Sequence, residues 1–149
     1  MQTGDIVEDF EALDQHGNTV KLSELVSDGP VVLFFYPKAM TAGCTAEACH
    51  FRNLDAEFKK VGARAVGISG DSVEKQAEFD RRNNLGLTLL ADTDRSIAKT
   101  FGAKRPGPFG VKRSTFVIGT DRRLIEVIAS ELNMELHADQ ALAALATTG

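Results

Sequence analysis

Two cysteines, Cys44 and Cys49, stand five residues apart in the segment PKAMTAGCTAEACHF, with Pro37 and Thr41 ahead of the first. A thiol acts as a nucleophile or redox centre through its thiolate, so what matters is which surroundings favour the anion. An apolar run ends just before Pro37, and helical spacing begins near Cys44. Cys44 therefore falls at a strand-to-helix turn, where unpaired N–H groups and the positive end of the helix dipole favour a thiolate. Cys49 lies more than a turn further in, beyond that field, so the two thiols are expected to differ strongly in reactivity. On a continuous helix, five residues separate two Cα atoms by roughly 8 to 9 Å, beyond the about 7 Å that a disulfide spans. A bridge between them requires the first turns of the helix to unwind.

The elements that must position these thiols follow from the pattern of the chain. Residues 4–25 alternate apolar and polar side chains around Gln15-His16-Gly17-Asn18, which predicts an N-terminal β-hairpin. Residues 31–36, VVLFFY, predict a strand buried on both faces, and Pro37 ends it. Between residues 44 and 60 the positions Cys44, Ala48, Phe51, Leu54 and Phe58 recur at helical spacing and predict one amphipathic helix. Strand 63–68, helix 72–84 capped by Ser72, strand 87–90 and helix 96–101 closed by Gly102 follow. Residues 105–110 predict a glycine- and proline-rich loop lying near Arg113. Strands at 114–118 and 124–128 predict a hairpin, and a last helix spans 137–146. Strands alternating with helices between two hairpins predict an α/β class with a central mixed sheet flanked by helices.

With 149 residues the chain is expected to form one domain, 1–149, and 43% hydrophobic residues provide a full core. A net charge of −4 supplies no broad positive field, so nucleic acid is not an expected partner. The longest apolar stretch is far short of the roughly 20 residues that span a bilayer, and the opening has no signal pattern, which predicts a cytoplasmic protein without membrane contact. Two cysteines cannot supply the four thiolates of an iron–sulfur cluster. No metal or other cofactor is expected. A zinc site built on Cys44, Cys49 and His50 would need His16 or His137 as well and lacks finger spacing, so the three histidines are expected at the surface.

The motif Pro37-x3-Thr41-x2-Cys44 resembles the reactive-cysteine motif of the peroxiredoxins. The run TAGCTAEAC is similar to the bacterioferritin comigratory protein, or peroxiredoxin Q, subgroup, in which a second cysteine lies five residues downstream. The likeness extends to VVLFFYPKAM, VGISGDSVEKQAEF, KRSTFVIGTDRRL and HADQAL, nearly the whole chain. It implies a thioredoxin-like fold. It implies further that Cys44 attacks hydrogen peroxide or an organic hydroperoxide to become a sulfenic acid. In that scheme Thr41 orients the peroxide, Pro37 shields the pocket, and Arg113 supplies fixed positive charge with help from the N–H groups of Gly43 and Cys44. Cys49 then resolves the sulfenic acid as a Cys44–Cys49 disulfide, which thioredoxin or a similar dithiol reduces. A monomer or weak dimer fits the subgroup.

Plainer roles stand beside these. Thr41 serves equally as a helix cap, Pro37 as a strand terminator, Cys49 as a packing residue, and Arg113 as the partner of a surface acid on an edge strand. Glu47 matches the subgroup, yet an exposed acid in a first helical turn is explained by the dipole alone. The same reactive Cys44 would also suit a redox sensor, which oxidises once to signal to another protein instead of turning over.

Overall fold

A computed structural model describes residues 1–107 and 110–148; Pro108 and Phe109, in the loop expected at 105–110, lie outside the described residues. Strands β1 (Glu11–Asp14) and β2 (Thr19–Lys21) form the N-terminal hairpin, with Leu13 opposite Thr19. A short helix α1 (Leu22–Leu25) leads to β3 (Val31–Phe35), followed by α2 (Ala42–Asn53) and α3 (Asp55–Lys60). Then come β4 (Arg64–Ser69), α4 (Val73–Asn83), β5 (Thr88–Ala91) and α5 (Ser96–Thr100). The chain closes with β6 (Ser114–Ile118), β7 (Leu124–Ala129) and α6 (Met134–Thr148).

All seven strands join one sheet in the order β2-β1-β5-β4-β3-β6-β7. Strands β3, β4 and β5 are parallel, while β1 on one side and β6 on the other run antiparallel to their neighbours. The mixed sheet with a hairpin at each edge is the expected class, and it carries the thioredoxin-like arrangement. Every residue of β3 is buried, as its unbroken apolar run requires. Its side chains alternate between two cores: Val32 and Phe34 face α2, α4 and α6, while Val31, Leu33 and Phe35 face α1 and α5. Phe34 stacks on Phe51 of α2 at 4.1 Å, which presses that helix onto the middle of the sheet.

Three expectations need correction. The helix foreseen over 44–60 is two helices, because Leu54 leaves helical geometry at φ −97° and ψ 8°. The bend lets Phe51 and Phe58 both reach the core, their rings 6.0 Å apart. The last helix starts at Met134, a turn earlier than residue 137, since the Asn133 side chain accepts from the N–H of Leu136 at 3.1 Å and caps it. Strand β6 is no edge strand, because β7 covers its outer side. Among the described residues no helix is long and apolar enough to cross a membrane.

Candidate active site

The loop between β3 and α2 is tied down on one side by β4 and α4. The hydroxyl of Tyr36 donates to Gln76 Oε1, Gln76 Nε2 donates to Ser69 Oγ at 3.0 Å, and Ser69 donates to Asp71 Oδ2 at 2.7 Å. The same carboxylate oxygen accepts from the N–H of Ala39 at 2.8 Å. Burial pushes the Tyr36 hydroxyl above its usual range, so it stays a donor. Next to this anchored Ala39, Met40 lies in the left-handed region at φ 67°, uncommon for a residue with a side chain. Pro37 is half-buried beside Tyr36.

Thr41 is the N-cap residue of α2 by backbone geometry, but its side chain caps nothing. Its hydroxyl donates to the carbonyl of Lys38 at 2.8 Å, and the residue is exposed. With that proton committed, Oγ1 is left as an acceptor. Cys44 lies in the first turn of α2, only 1% exposed, and its thiol is free. Cys49 is also free, half-buried and packed against the apolar core beneath α2. Both sit on one continuous helix, so in this conformation they are not bridged.

Arg113 arrives from the opposite end of the sequence. In the antiparallel pairing of β3 with β6, Phe35 stands opposite Ser114, so Arg113 lies just past the end of β3, where the Cys44 loop begins. Its Nη2 donates to the Cys44 sulfur at 3.3 Å across 69 residues of sequence. Its Nη1 donates to Glu47 Oε1 at 2.8 Å, and its own N–H donates to Glu131 Oε1 at 2.7 Å. Arg105 reaches that same Glu131 oxygen at 2.9 Å, which places the loop start beside Arg113 as expected. Burial alone would lower the Arg113 pKa, but Glu47 and Cys44 more than offset it, and the net direction is upward. A side chain on Gly43 would have its Cβ 3.2 Å from Met134 Cε and 3.3 Å from Arg113 Nη2, so glycine leaves room for the guanidinium.

Glu47 is not the exposed acid the sequence suggested. It is fully buried one turn after Cys44, on the same helix face, because the helix turns it toward Arg113 and away from water. Burial pushes its carboxyl up to about 8; Arg113 pulls it down and Glu131 raises it further. His137 is likewise no surface residue: it is fully buried on α6, 3.7 Å from Glu47 Oε2, and burial lowers its pKa. His16 is exposed, and His50 is half-buried against Asp139 at 2.8 Å. Among the described residues, metal-ligand types gather only at His50, Glu135 and Asp139, and neither cysteine joins them.

Arg113 sets a fixed positive charge against the buried sulfur of Cys44, where it can receive negative charge that develops there. Residues 3–127 match the model of the AhpC/TSA family. The chain belongs to that family. Its peroxiredoxin relatives include peroxiredoxin Bcp of Bacillus subtilis, 40% identical over 132 residues that cover 85% of this chain and 83% of that protein. Among solved structures, peroxidoxin BcpB from Mycobacterium tuberculosis superposes with a TM-score of 0.97 at 54% identity, covering 100% of this chain and 99% of that one. The bacterioferritin comigratory protein of Xanthomonas campestris, whose structures concern alkyl peroxide reduction, superposes at 0.88 with 27% identity, covering 97% of this chain and 99% of that one. As a peroxiredoxin of the Bcp and peroxiredoxin Q branch, the protein is a thiol peroxidase with a thioredoxin-like fold.

Proposed function

We propose that Cys44 is the peroxide-reacting thiol, that Cys49 resolves its oxidised form, and that thioredoxin or a similar dithiol completes the cycle in antioxidant defence. The reading is carried by one observation, the 3.3 Å hydrogen bond from Arg113 to the sulfur of Cys44 at the buried start of α2. The Cys44 thiolate attacks the O–O bond of hydrogen peroxide or an organic hydroperoxide. One oxygen stays on sulfur as a sulfenic acid, and the other leaves with a proton as water or an alcohol. Arg113 and the N–H groups of Gly43 and Cys44 favour the negative charge that shifts along the two oxygens. Thr41, with its proton committed to Lys38, is suited to accept the peroxide O–H. Pro37 limits access of water from the loop side.

The thiolate of Cys49 then attacks the sulfenic sulfur and expels hydroxide, which leaves as water and forms the disulfide. Helix spacing forbids this bond while α2 is intact, so the stretch between the two cysteines unwinds once in each cycle. A dithiol returns both cysteines to thiols and becomes a disulfide itself. The decisive test is the intact mass of reduced protein seconds after one equivalent of hydrogen peroxide. The expected result is a loss of about two mass units in the wild type, a gain of about sixteen in Cys49→Ser, and no change in Cys44→Ser. An unchanged Cys49→Ser mass overturns the role of Cys44. A wild-type gain of sixteen that persists overturns the role of Cys49.

A further inference from the structure

The peptide unit between Lys38 and Ala39 is held on both sides. Its N–H donates to Asp71 Oδ2 at 2.8 Å, and its carbonyl accepts from the Thr41 hydroxyl at 2.8 Å. In a trans peptide these two groups point in opposite directions, so fixing one fixes the other. Among the described residues, the bond to Asp71 is the one hydrogen bond that ties residues 37–41 to any element other than α2.

Asp71 is itself aimed by a directional chain of bonds. Gln76 is fully buried, and because the carbonyl of Leu90 only accepts, Nε2 faces Leu90 at 2.8 Å and Oε1 faces the Tyr36 hydroxyl. Nε2 also donates to Ser69 Oγ at 3.0 Å, and the N–H of Asp71 donates to the same Oγ at 3.3 Å. Both lone pairs of that hydroxyl are thus occupied, and its one proton goes to Asp71 Oδ2 at 2.7 Å. The chain leaves the reactive loop at Tyr36 and returns to it at Ala39, so it brackets Pro37 and Lys38. A buried network whose members are all satisfied is rigid.

Peptide direction decides what Thr41 can do. While the Lys38 carbonyl faces it, the Thr41 proton is committed and Oγ1 keeps its lone pairs free for a donor. A half-turn of that peptide would present an N–H to Thr41, occupy a lone pair and turn the hydroxyl proton outward. A peroxide O–H would then meet a donor in place of an acceptor. We propose that Asp71 is a positioning residue for Thr41: by holding the Ala39 N–H, it points the Lys38 carbonyl at the Thr41 hydroxyl and so keeps Thr41 an acceptor for the peroxide. The proposal rests on Cys44 as the reacting thiol and on Thr41 as the group that orients the peroxide.

The test is the rate at which hydrogen peroxide adds oxygen to Cys44, followed by rapid quench and intact mass in Cys49→Ser protein. Asp71→Ala is expected to slow that rate roughly tenfold, the order that a lost orienting contact costs. Asp71→Asn loses the charge but keeps an acceptor oxygen for Ala39, and it is expected to stay within about threefold of the parent. In a Thr41→Val background the further loss from Asp71→Ala is expected to be less than about twofold, since the group it positions is gone. A folded Asp71→Ala protein with the parent rate overturns the proposal. So does an equal loss in Asp71→Asn, which assigns the effect to charge, or an undiminished loss with Thr41→Val, which assigns it to general loosening. If Asp71→Ala does not fold, Ser69→Ala takes its place by removing the donor that aims the carboxylate. Slowing of about threefold that disappears with Thr41→Val supports the proposal, and an unchanged rate or slowing that persists with Thr41→Val overturns it. Failure of peroxide to oxidise Cys44 in the Cys49→Ser parent fails the peroxidase reading itself, whereas a parent oxidised no faster than Asp71→Ala fails this proposal alone.

Discussion

Cys44 and Cys49 ride the same helix five residues apart, yet only one of them is built into a charged site. Cys44 is sealed from solvent and receives a hydrogen bond from Arg113, while Cys49 is half-buried against an apolar floor. The half of α2 beyond Cys49 is fastened separately, by the Phe51–Phe34 stack, by His50 on Asp139 at 2.8 Å and by Arg52 on the Asn83 carbonyl at 2.6 Å. A single helix thus has a first turn organised by electrostatics and a later part organised by packing. In the proposed cycle the difference between the two thiols comes from what the opposite end of the fold delivers to Cys44, the Arg113 guanidinium.

The sharpest way to break that contrast is Arg113→Gln, which removes the charge and keeps much of the shape. Its reaction with peroxide is expected to slow by roughly 10² to 10³-fold in stopped-flow measurements, leaving Cys44 closer to Cys49 in behaviour. Gly43→Ala is expected to slow the same step by about tenfold by displacing Arg113 Nη2, while its thermal midpoint does not fall, since alanine favours helix over glycine by about 1 kcal/mol. Equal rates in this variant and the wild type would show that the guanidinium has slack. Ala46→Gly, at an exposed position between the cysteines, is expected to speed disulfide formation about fivefold with the sulfenic step unaltered, because unwinding becomes cheaper by about 1 kcal/mol. The smallest expected effect is on stability. Glu47 binds its proton more tightly folded than unfolded, so between its ordinary value of 4.5 and about 8 the wild type loses stability as pH rises. Glu47→Gln lacks that loss, and its advantage in denaturant midpoint is expected to grow across this window and level off above it.

The sheet was legible because β3 announces itself as a run of six apolar residues and the hairpins carry their turn residues. Ser72 as cap of α4, accepting from Lys75 N at 3.2 Å, was equally plain. Cys44, Thr41 and Pro37 could be marked from local order alone. Glu47 and His137 could not, since an acid in a first helical turn and a histidine on a late helix look solvent-bound until the partner surface is known. Their burial depends on the contact of α2 with α6 and on Arg113, neither of which is local. The Asn133 cap that starts α6 a turn early was a readable signal, an Asn three residues before Leu136. The register of β3 with β6 carries more weight than any motif. A slip of one residue would turn Arg113 to the other face of the sheet.

Glu47 occupies the stretch between Cys44 and Cys49, the same stretch that opens in the proposed cycle. Opening it carries a neutral acid from a dry pocket into water, where it ionises, so each unwinding releases a proton that has no part in the sulfur chemistry. Mass action then gives the hydrogen ion a hold on the second half of catalysis. Within the window between 4.5 and about 8, the open helix becomes up to about tenfold more populated for each unit that pH rises. An acidified cell would thus retain the sulfenic form longer, and the helix itself would act as the timer that decides how long oxidised Cys44 waits for its partner.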